Sequence, residues 1–463
     1  MQRAYTRSVG EYIARSRDEA VPKDVQERVQ LVVLDALGCG LLGSRMPWTQ
    51  RIVATLRDTE SPGQALVWGT DARFSAANAA LANGTSVHGF ELDDVGSGGH
   101  NGSVTVTSAL ALAQTGFPVS GPQLIRAVTT GIEVAARVEA TCHDIPRTHM
   151  GFHGPGLWGV FASMATCATI MGLSADEAVN ALGTAAQQAA SLMGTQGGGM
   201  GKRMLAGKAA HSGVLAAHLA RHGFTNVDNI FECGYGSFPS AFCGGREDFT
   251  LDELDKGFGE TWLTRGVNFK LWAARVPIHP SMEAIKAIRR ENPLEPQDIQ
   301  HVLIRLPLGS YRAVGFPYKP TTVTSAQLNL QYCAAIMLLE NDVFVPQFTE
   351  EKIGSEAVLD MVRRIEILHD PELDKVAGDK ISPETRVEVT LTDGRKLDAT
   401  GRVRGSSGDP VTRDEVVEKF KKTSAEALTP AAAQRIIDAC DRLPDLADAR
   451  ELLAPIEELA AVT

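Results

Sequence analysis

Residues 81–113, LANGTSVHGFELDDVGSGGHNGSVTVTSALALA, place ionisable side chains between two Ala-rich segments. The ionisable residues are Glu91, Asp93, Asp94, His88 and His100. Six glycines within residues 84–102 allow the backbone to turn and to approach other segments closely. Acidic and imidazole groups among small apolar residues must be paired or hydrogen-bonded when they are buried. The stretch is therefore either a structural polar cluster or a functional site.

The composition around this stretch favours a helical protein with closely packed helices. The chain has 463 residues, with 44 glycines and only 6% aromatic residues, which predicts helices that pack through small side chains. The formal charge of −11, without a basic stripe, argues against nucleic acid or an anionic membrane as a partner. A small anionic substrate remains compatible, since a few local cations outweigh distant negative charge.

Cysteine usage and the first residues predict a cytoplasmic protein. The seven cysteines form no CxxC pair and no metal-binding spacing, so we predict reduced, buried thiols. The first twenty residues carry charges throughout and lack the apolar core of a signal peptide. Residues 154–175 carry no formal charge, but they are rich in Ala, Gly, Ser and Thr and lack basic flanks, which favours a buried helix over a membrane span.

Hydrophobic periodicity predicts a mainly α fold, with a large all-helical domain and a smaller α+β lid domain. A helical apolar face runs from Val25 to Leu37, and Ser174 with Glu177 forms a capping box that starts another helix. Strand-like alternation begins only after residue 265, and a hairpin is predicted to turn at Asp393-Gly394. We predict a discontinuous helical domain of residues 1–267 and 405–463, and a lid domain of residues 268–404.

Two motifs that suggest a ligand have simpler explanations. The segment TQGGGMGKR lacks the Walker A pattern, because Gln196 stands at the first Gly and Arg203 at the Ser/Thr. Its glycines either let the backbone approach another group or allow a bend between helices. His218 and His222 have metal-pair spacing, but no Glu lies between them. We predict no metal and no cofactor.

Several cations are suited to binding carboxylates. Lys202, Lys208 and His211 lie at the start of one predicted helix. The segment NFKLWAARVPIHPSM adds Lys270 and Arg275. Arg is the better bidentate clamp and Lys the better point charge. His153, in the turn GFHGPG, is by itself more typical of a hydrogen-bonded core residue.

Five blocks resemble the MmgE/PrpD family in order and approximate spacing. They are HGFELDDVGSGGHNGSV, GFHGPGLWG, GKRMLAGKAAHSG, FECGYGSF and NFKLWAARVPIHPSMEAI. The resemblance covers nearly the whole chain. It implies a helical domain, a smaller α+β lid domain, a homodimer, and a cofactor-free site in the cleft between the domains. Members of this family dehydrate, decarboxylate or epimerise small di- and tricarboxylates.

The resemblance assigns site residues position by position. It implies catalytic roles for His100, His153, Lys202, Lys270 and Glu91, of which Glu91 stands where the family usually has Asp. We expect the substrate to be bound by Arg275, Lys208, His279 and Asp93. Asn101 stands where the family usually has Pro, and Val95 where a decarboxylating member has Thr.

The reactions of this family share negative charge on a carbon next to a carboxylate. Fixed cations and two histidines, His100 and His153, are suited to stabilise that charge and move the proton, with Glu91 orienting one imidazole. We therefore expect a cofactor-free lyase acting on a small di- or tricarboxylate, a dehydratase or a decarboxylase. The alternatives are an isomerase of a dicarboxylate such as iminodisuccinate, and a non-catalytic protein that binds small acids.

Overall fold

The computed structural model describes residues 3–143, 145–377, 384–405 and 409–460, and these divide into two compact units. The first unit contains the described parts of Met1–Thr195, Met200–Phe269 and Thr412–Thr463. The second contains those of Gln196–Gly199 and Lys270–Val411. The predicted mainly α fold with a smaller α+β part is confirmed. Whether each unit folds independently, and whether the second acts as a lid, stays a prediction.

The regular elements alternate between long core helices and short connecting helices. The helices are α1 Tyr5–Ser16, α2 Lys23–Ser44, α3 Pro47–Thr59, α4 Ala76–His88, α5 Asn101–Ala113, α6 Gly121–Thr141, α7 Ile145–Thr148, α8 Gly154–Leu157, α9 Gly159–Met171, α10 Ala175–Ala186, α11 Leu205–Arg221, α12 Phe238–Phe242, α13 His279–Glu291, α14 Leu308–Val314, α15 Val323–Gln327, α16 Leu330–Glu340, α17 Glu350–Ile353, α18 Glu356–Arg363, α19 Pro371–Ala377, α20 Arg413–Ser424, α21 Pro430–Asp441 and α22 Ala454–Ala460. The strands are β1 Ala65–Leu66, β2 Arg73–Phe74, β3 Ile299–Leu306, β4 Ile365–His369, β5 Glu384–Leu391 and β6 Lys396–Arg402.

Local sequence signals set several helix starts. The predicted capping box at Ser174 is confirmed: its hydroxyl accepts from the Glu177 amide, while the Glu177 carboxylate accepts from the Ser174 amide. Thr412 starts α20 in the same reciprocal way with Glu415. Each box satisfies two amide donors that would otherwise lack an intrahelical partner. These short motifs act locally, so they can be identified without knowledge of the tertiary fold.

Small residues bring the helices of the first unit close together. A Cβ atom on Gly84 of α4 would lie 2.8 Å from the Cα of Gly207 of α11, and one on Gly207 would overlap the Leu81 carbonyl. Any larger side chain at this crossing would push the two backbones apart. The uncharged segment predicted to be a buried helix contains α9, whose residues from Gly159 to Thr169 are buried. Dense packing of small residues thus brings α4 and α11 into contact beside the polar stretch.

The second unit is built on a four-stranded sheet in the order β4-β3-β5-β6. β3 pairs with β4 in parallel and with β5 antiparallel, with Ile304 opposite Ile367 and Val387. The predicted hairpin joins β5 to β6, and Gly394 in its turn has a φ of +87°. That left-handed conformation is one that glycine adopts without steric cost.

Three details differ from the sequence-based expectations or refine them. The two-residue strands β1 and β2 precede residue 265, where no strand was expected. Cys233 is exposed, so the prediction that every thiol is buried is wrong there. Gly198 and Gly199 have positive φ values, and a Cβ atom added to either would meet no protein atom within 4 Å. Their close approach to another part of the protein is therefore not the reason for these glycines, whereas a bend or an approach to a ligand stays a prediction.

Among the described residues, no single helix is both long and apolar enough to cross a membrane. α2 and α3 pass that test of length and composition only when taken together, and they are bent by 79° at the break between them.

Candidate active site

The polar part of residues 81–113 forms a turn that joins two helices of the first unit. We call residues 89–100 the acidic turn. It leaves α4 after His88 and enters α5 after His100, which occupies the residue before the first helical position. Glu91 and Ser97 have left-handed φ values of 57° and 43°. Such conformations are costly for residues other than glycine and are held in place by their surroundings.

One carboxylate oxygen of the acidic turn contacts two imidazoles. Asp93 Oδ2 lies 2.9 Å from His88 Nδ1 and 3.0 Å from His100 Nδ1. Burial alone would raise the pKa of Asp93, but the imidazoles hold it well below its usual range. Because a carboxylate only accepts hydrogen bonds, the Nδ1 of His88 is assigned the ring proton, and we assign the same tautomer to His100 from its 3.0 Å contact. The Nε2 atoms of both rings then carry a lone pair, which makes each a candidate proton acceptor.

A lysine and an arginine complete the buried part of the cluster. Lys202 and Arg203 lie on a short 3-10 turn, Gly201–Met204, immediately before α11. Lys202 Nζ lies 3.3 Å from His88 Nε2 and also donates to the Glu91 carboxylate. Arg203 Nη1 lies 3.4 Å from the same carboxylate, and its guanidinium lies 5.2 Å from the ring centre of Trp48. Two cations thus share one buried carboxylate.

His153 joins the same cluster from another segment. It precedes α8, and its backbone amide donates to the Ser191 carbonyl at 3.2 Å. Its ring centre lies 5.8 Å from that of His88. Burial, and next the charge of Lys202, lower the pKa of His153 well below its usual value, so its ring is neutral near pH 7. The side chain of His100 is the most exposed of the three imidazoles, at 14%.

Asp94 fixes the start of α5. Its two carboxylate oxygens accept from the backbone amides of Asn101 at 2.8 Å and Gly102 at 2.7 Å. A proline at 101 could not donate the first of these bonds, so Asn101 gives this chain a contact that the usual family residue lacks. Burial, followed by repulsion from Asp35 and Asp93, raises the pKa of Asp94 to about 7.

The structure brings five of the predicted site residues together within the first unit. They are His100, His153, Lys202, Glu91 and Asp93. The carboxylate that contacts His100 is Asp93, whereas Glu91 pairs with Lys202 and Arg203. The predicted roles of Glu91 in orienting an imidazole and of Asp93 in binding the substrate stay predictions.

The other predicted residues belong to α11 and to the second unit. Lys208 in α11 donates to the Gln188 carbonyl. Lys270, Arg275 and His279 belong to the second unit, where the Arg275 side chain donates to the Ala313 carbonyl at 2.9 Å. His279 Nε2 lies 3.1 Å from the Ala274 carbonyl, and Lys270 is buried. Their assignment to the substrate site stays a prediction.

Sequence reasoning named His88 in the polar stretch but not among the site residues, and it missed Arg203. His88 lies five residues before Asp93 and ends an Ala-rich helix, so its position beside the acidic residues was a usable signal. Arg203 follows the predicted Lys202, but its sequence neighbours do not show that it is fully buried. A buried arginine requires a partner, and Glu91 supplies one.

The same cluster contains a set of donors that a metal ion could use. His88, Asp93 and His100 each offer a ligand atom within 4.8 Å of the others. Two imidazoles and a carboxylate are a donor set that Zn²⁺ accepts. The sequence predicts no metal, and a chelator experiment under the proposed function tests that prediction.

The buried histidines predict a loss of stability in acid. Burial, then the charge of Lys202, lower the pKa of His88 to about 3, below the value of about 6.5 in an unfolded chain. Between these values the unfolded state binds more protons, so the free energy of unfolding falls as pH falls. From pH 7 to pH 5, the contribution of His88 to the free energy of unfolding falls by about 2 kcal/mol. His88→Asn should therefore be less stable than the wild type at pH 7 and approach its stability at pH 5, as measured by urea denaturation.

Asp94→Asn is the matched control for that experiment, because the contribution of Asp94 to stability changes with pH in the opposite direction. The folded-state pKa of Asp94 is raised, so its contribution is greatest in acid and is lost as pH rises through about 7. Relative to the wild type, this variant should therefore become less stable as pH falls. Parallel pH profiles for the two variants would show that at least one of the two groups does not titrate as described.

Comparison with known proteins identifies this arrangement. The MmgE/PrpD N-terminal domain model matches residues 7–250, and the MmgE/PrpD C-terminal domain model matches residues 272–443. A cis-aconitate decarboxylase of Aspergillus terreus is 28% identical over 454 residues, covering 94% of this chain and 92% of that protein. The cis-aconitate decarboxylase of Homo sapiens is 28% identical over 442 residues, covering 92% and 88%. A 2-methylcitrate dehydratase of Salmonella typhimurium is 23% identical over 459 residues, covering 91% and 90%. With both domain models matched along most of its length, the chain belongs to the MmgE/PrpD family.

Proposed function

We propose that this chain is a lyase that acts on a small tricarboxylate through negative charge on a carbon next to a carboxylate. The observation that carries the proposal is the Asp93 carboxylate, which contacts the Nδ1 atoms of two imidazoles beside a buried lysine. This arrangement couples a proton acceptor to a fixed cation. The family relatives named above, which are decarboxylases and a dehydratase by name, support the same reaction class.

His100 is the residue we assign to proton transfer at the substrate carbon. Its Nδ1 is held by Asp93, which leaves Nε2 as the reactive atom, and its side chain is the most exposed imidazole of the cluster. His88 is less suited, because its Nε2 faces Lys202 at 3.3 Å. His153, buried and neutral, is suited to donate a hydrogen bond or to relay a proton. A general acid or base of this kind contributes about 10²–10⁴-fold to a rate.

The two candidate reactions use this proton acceptor differently. In decarboxylation, the C–C bond to one carboxylate breaks, carbon dioxide leaves, and the electron pair on carbon takes a proton from protonated His100. In dehydration, neutral His100 removes a proton from carbon and returns it to the hydroxyl group, which leaves as water as the neighbouring C–O bond breaks. In both, Lys202 stabilises negative charge where water is excluded.

Decarboxylation of a cis-aconitate-like acid is the first candidate, since the decarboxylases named above are 28% identical to this chain and the dehydratase 23%. Dehydration of a citrate-like acid is the second. It is favoured by Val95, which lacks the hydroxyl that a decarboxylating member has at that position, and whose backbone pairs with Asn268 instead.

A panel of acids with two readouts tests the proposal. Purified protein is incubated with cis-aconitate, citrate and 2-methylcitrate, while released carbon dioxide and alkene absorbance are followed. Carbon dioxide from cis-aconitate supports the first candidate, and new alkene from a hydroxy acid supports the second. Proton exchange in deuterated water without either product would identify an isomerase. Activity lost with a chelator and restored by Zn²⁺ would contradict the metal-free assignment.

Lys270→Met tests whether the second unit contributes to substrate binding. We propose that the Lys270 ammonium binds a substrate carboxylate, so its loss should raise KM and lower kcat/KM by about 10–100-fold, as expected for one cation. Lys319→Met, which removes a cation of the same unit, is the control. Unchanged steady-state kinetics in Lys270→Met would remove Lys270 from the site.

A further inference from the structure

A second buried ion pair lies beneath the acidic turn. Asp35 comes from the middle of α2 and Lys419 from α20, so the two are far apart in sequence. Lys419 Nζ lies 2.6 Å from Asp35 Oδ1, and both side chains are buried. The same ammonium donates to the backbone carbonyl of Leu92. Lys419 therefore connects helices from both ends of the first unit to the acidic turn.

The Leu92 carbonyl lies between two residues of the candidate site. Leu92 lies between Glu91, which pairs with Lys202, and Asp93, which contacts His88 and His100. Glu91 also has a left-handed φ of 57°, which a non-glycine residue keeps only when neighbouring contacts hold it. A bond at the intervening carbonyl restrains both neighbouring side chains.

Lys419 can donate to Leu92 in either protonation state, and the charges around it favour the ammonium form. Burial alone would lower the pKa of Lys419, but the Asp35 carboxylate, with smaller contributions from Cys39 and Asp93, raises it overall. Burial in turn raises the pKa of Asp35, and the attraction of Lys419 opposes that rise. The 2.6 Å separation is that of a charged pair, and an ammonium has three donors. One serves the carboxylate, which leaves another for Leu92.

Buried ion pairs are not by themselves evidence of a stabilising role. Apolar side chains of similar size often replace such a pair with little loss of stability, whereas removal of one partner leaves an uncompensated charge. The pair alone therefore does not explain why a charged lysine is placed here. The hydrogen bond from Lys419 to the acidic turn explains why a charged lysine is placed here.

We propose that Lys419 is a positioning residue, which holds the Leu92 carbonyl so that Glu91 and Asp93 keep the arrangement used in catalysis. This inference rests on the proposed lyase function. It assigns to α20, after the second unit in the sequence, a role in the active site of the first.

Two single variants separate positioning from ion pairing. Asp35→Asn and Lys419→Met each break the pair, but only Lys419→Met removes the bond to Leu92. We expect kcat to fall about 10–100-fold in Lys419→Met with KM changed less than about threefold, and to stay within about threefold of wild type in Asp35→Asn. Lys421→Met, an exposed lysine on the same helix, is the control and should match wild type. Equal kcat losses in the two variants would overturn the proposal.

A double variant and an exchange measurement complete the test. Asp35→Leu with Lys419→Met removes both charges, so it should unfold near the wild-type urea midpoint while keeping the low kcat. Amide hydrogen exchange of residues 89–96 should be faster than in wild type, whether or not a substrate is known. Wild-type kcat and wild-type exchange in this variant would overturn the inference. If wild-type protein converts none of the acids tested, the proposed function fails, and the exchange measurement alone decides the positioning role.

Discussion

His100→Gln should lower kcat by about 10³-fold, within the range expected for loss of a general acid or base. The imidazole Nδ1 lies 3.0 Å from Asp93, which fixes the ring and leaves Nε2 to exchange a proton with the substrate. Glutamine retains a polar side chain but cannot take up a proton near neutral pH. KM should change little, because the proposed role concerns the proton and not the binding of carboxylates. Steady-state kinetics with the substrate found in the acid panel measures both constants.

The fold should survive this change. His100 precedes α5 without capping it through its side chain, and its backbone carbonyl accepts from the Ser103 hydroxyl whatever the side chain is. Circular dichroism and the urea midpoint should therefore match wild type. His222→Gln, at an exposed position after α11, controls for the loss of an imidazole. A kcat for His100→Gln within tenfold of wild type, with the fold intact, would move the proton transfer to another group.

Asp93→Asn provides the companion measurement, because it alters His100 without removing it. The amide oxygen of asparagine can still accept a hydrogen bond, but it carries no negative charge, so it should hold the two imidazoles less strongly than the carboxylate that contacts both of them. Loss of kcat without loss of His100 would support the role of Asp93 in fixing the ring.

Much of the fold follows from local sequence signals. The apolar face that includes Val25 and Leu37 lies on α2, and the capping box at Ser174 starts a helix where predicted. Thr412 forms a second box of the same kind at the start of α20. The alternating segment of Val302 and Ile304 forms β3. These features depend on hydrophobic periodicity and on interactions between residues a few positions apart, and both can be identified from the sequence alone. The short pair β1–β2 has no comparable signal, since two residues cannot show a period.

The sequence predicts which residues form the site better than it predicts which of them contact each other. The acidic turn and Lys202 stand out because charged groups among small residues need partners. Which carboxylate meets which cation depends on backbone direction, and the left-handed conformation of Glu91 is not encoded in spacing. Asp35 and Lys419 show a further limit. A single carboxylate in an apolar helical run signals a buried partner, but that partner comes from α20, near the other end of the chain.

Lys202→Met should be the second change with a large effect, lowering kcat/KM by about 10²–10³-fold. The ammonium is buried between the Glu91 carboxylate and His88 Nε2, where little water weakens its field. In the proposed reaction this cation stabilises negative charge that develops near a substrate carboxylate. Methionine has similar length and no charge, so it removes the interaction with little change in volume. Kinetics across an ionic-strength series should show that added salt does not restore the activity.

Removal of Lys202 alone also leaves Glu91 with one less cation in a buried site, which can destabilise the fold by about 3–5 kcal/mol. The double variant Lys202→Met with Glu91→Gln removes that excess charge, and the Arg203 guanidinium can still donate to the amide oxygen that replaces the carboxylate. We therefore expect the double variant to regain much of the lost stability and none of the lost activity. Lys23→Met, an exposed lysine, should leave both unchanged. If the double variant regains activity together with stability, Lys202 balances the charge of Glu91 and has no direct part in the reaction.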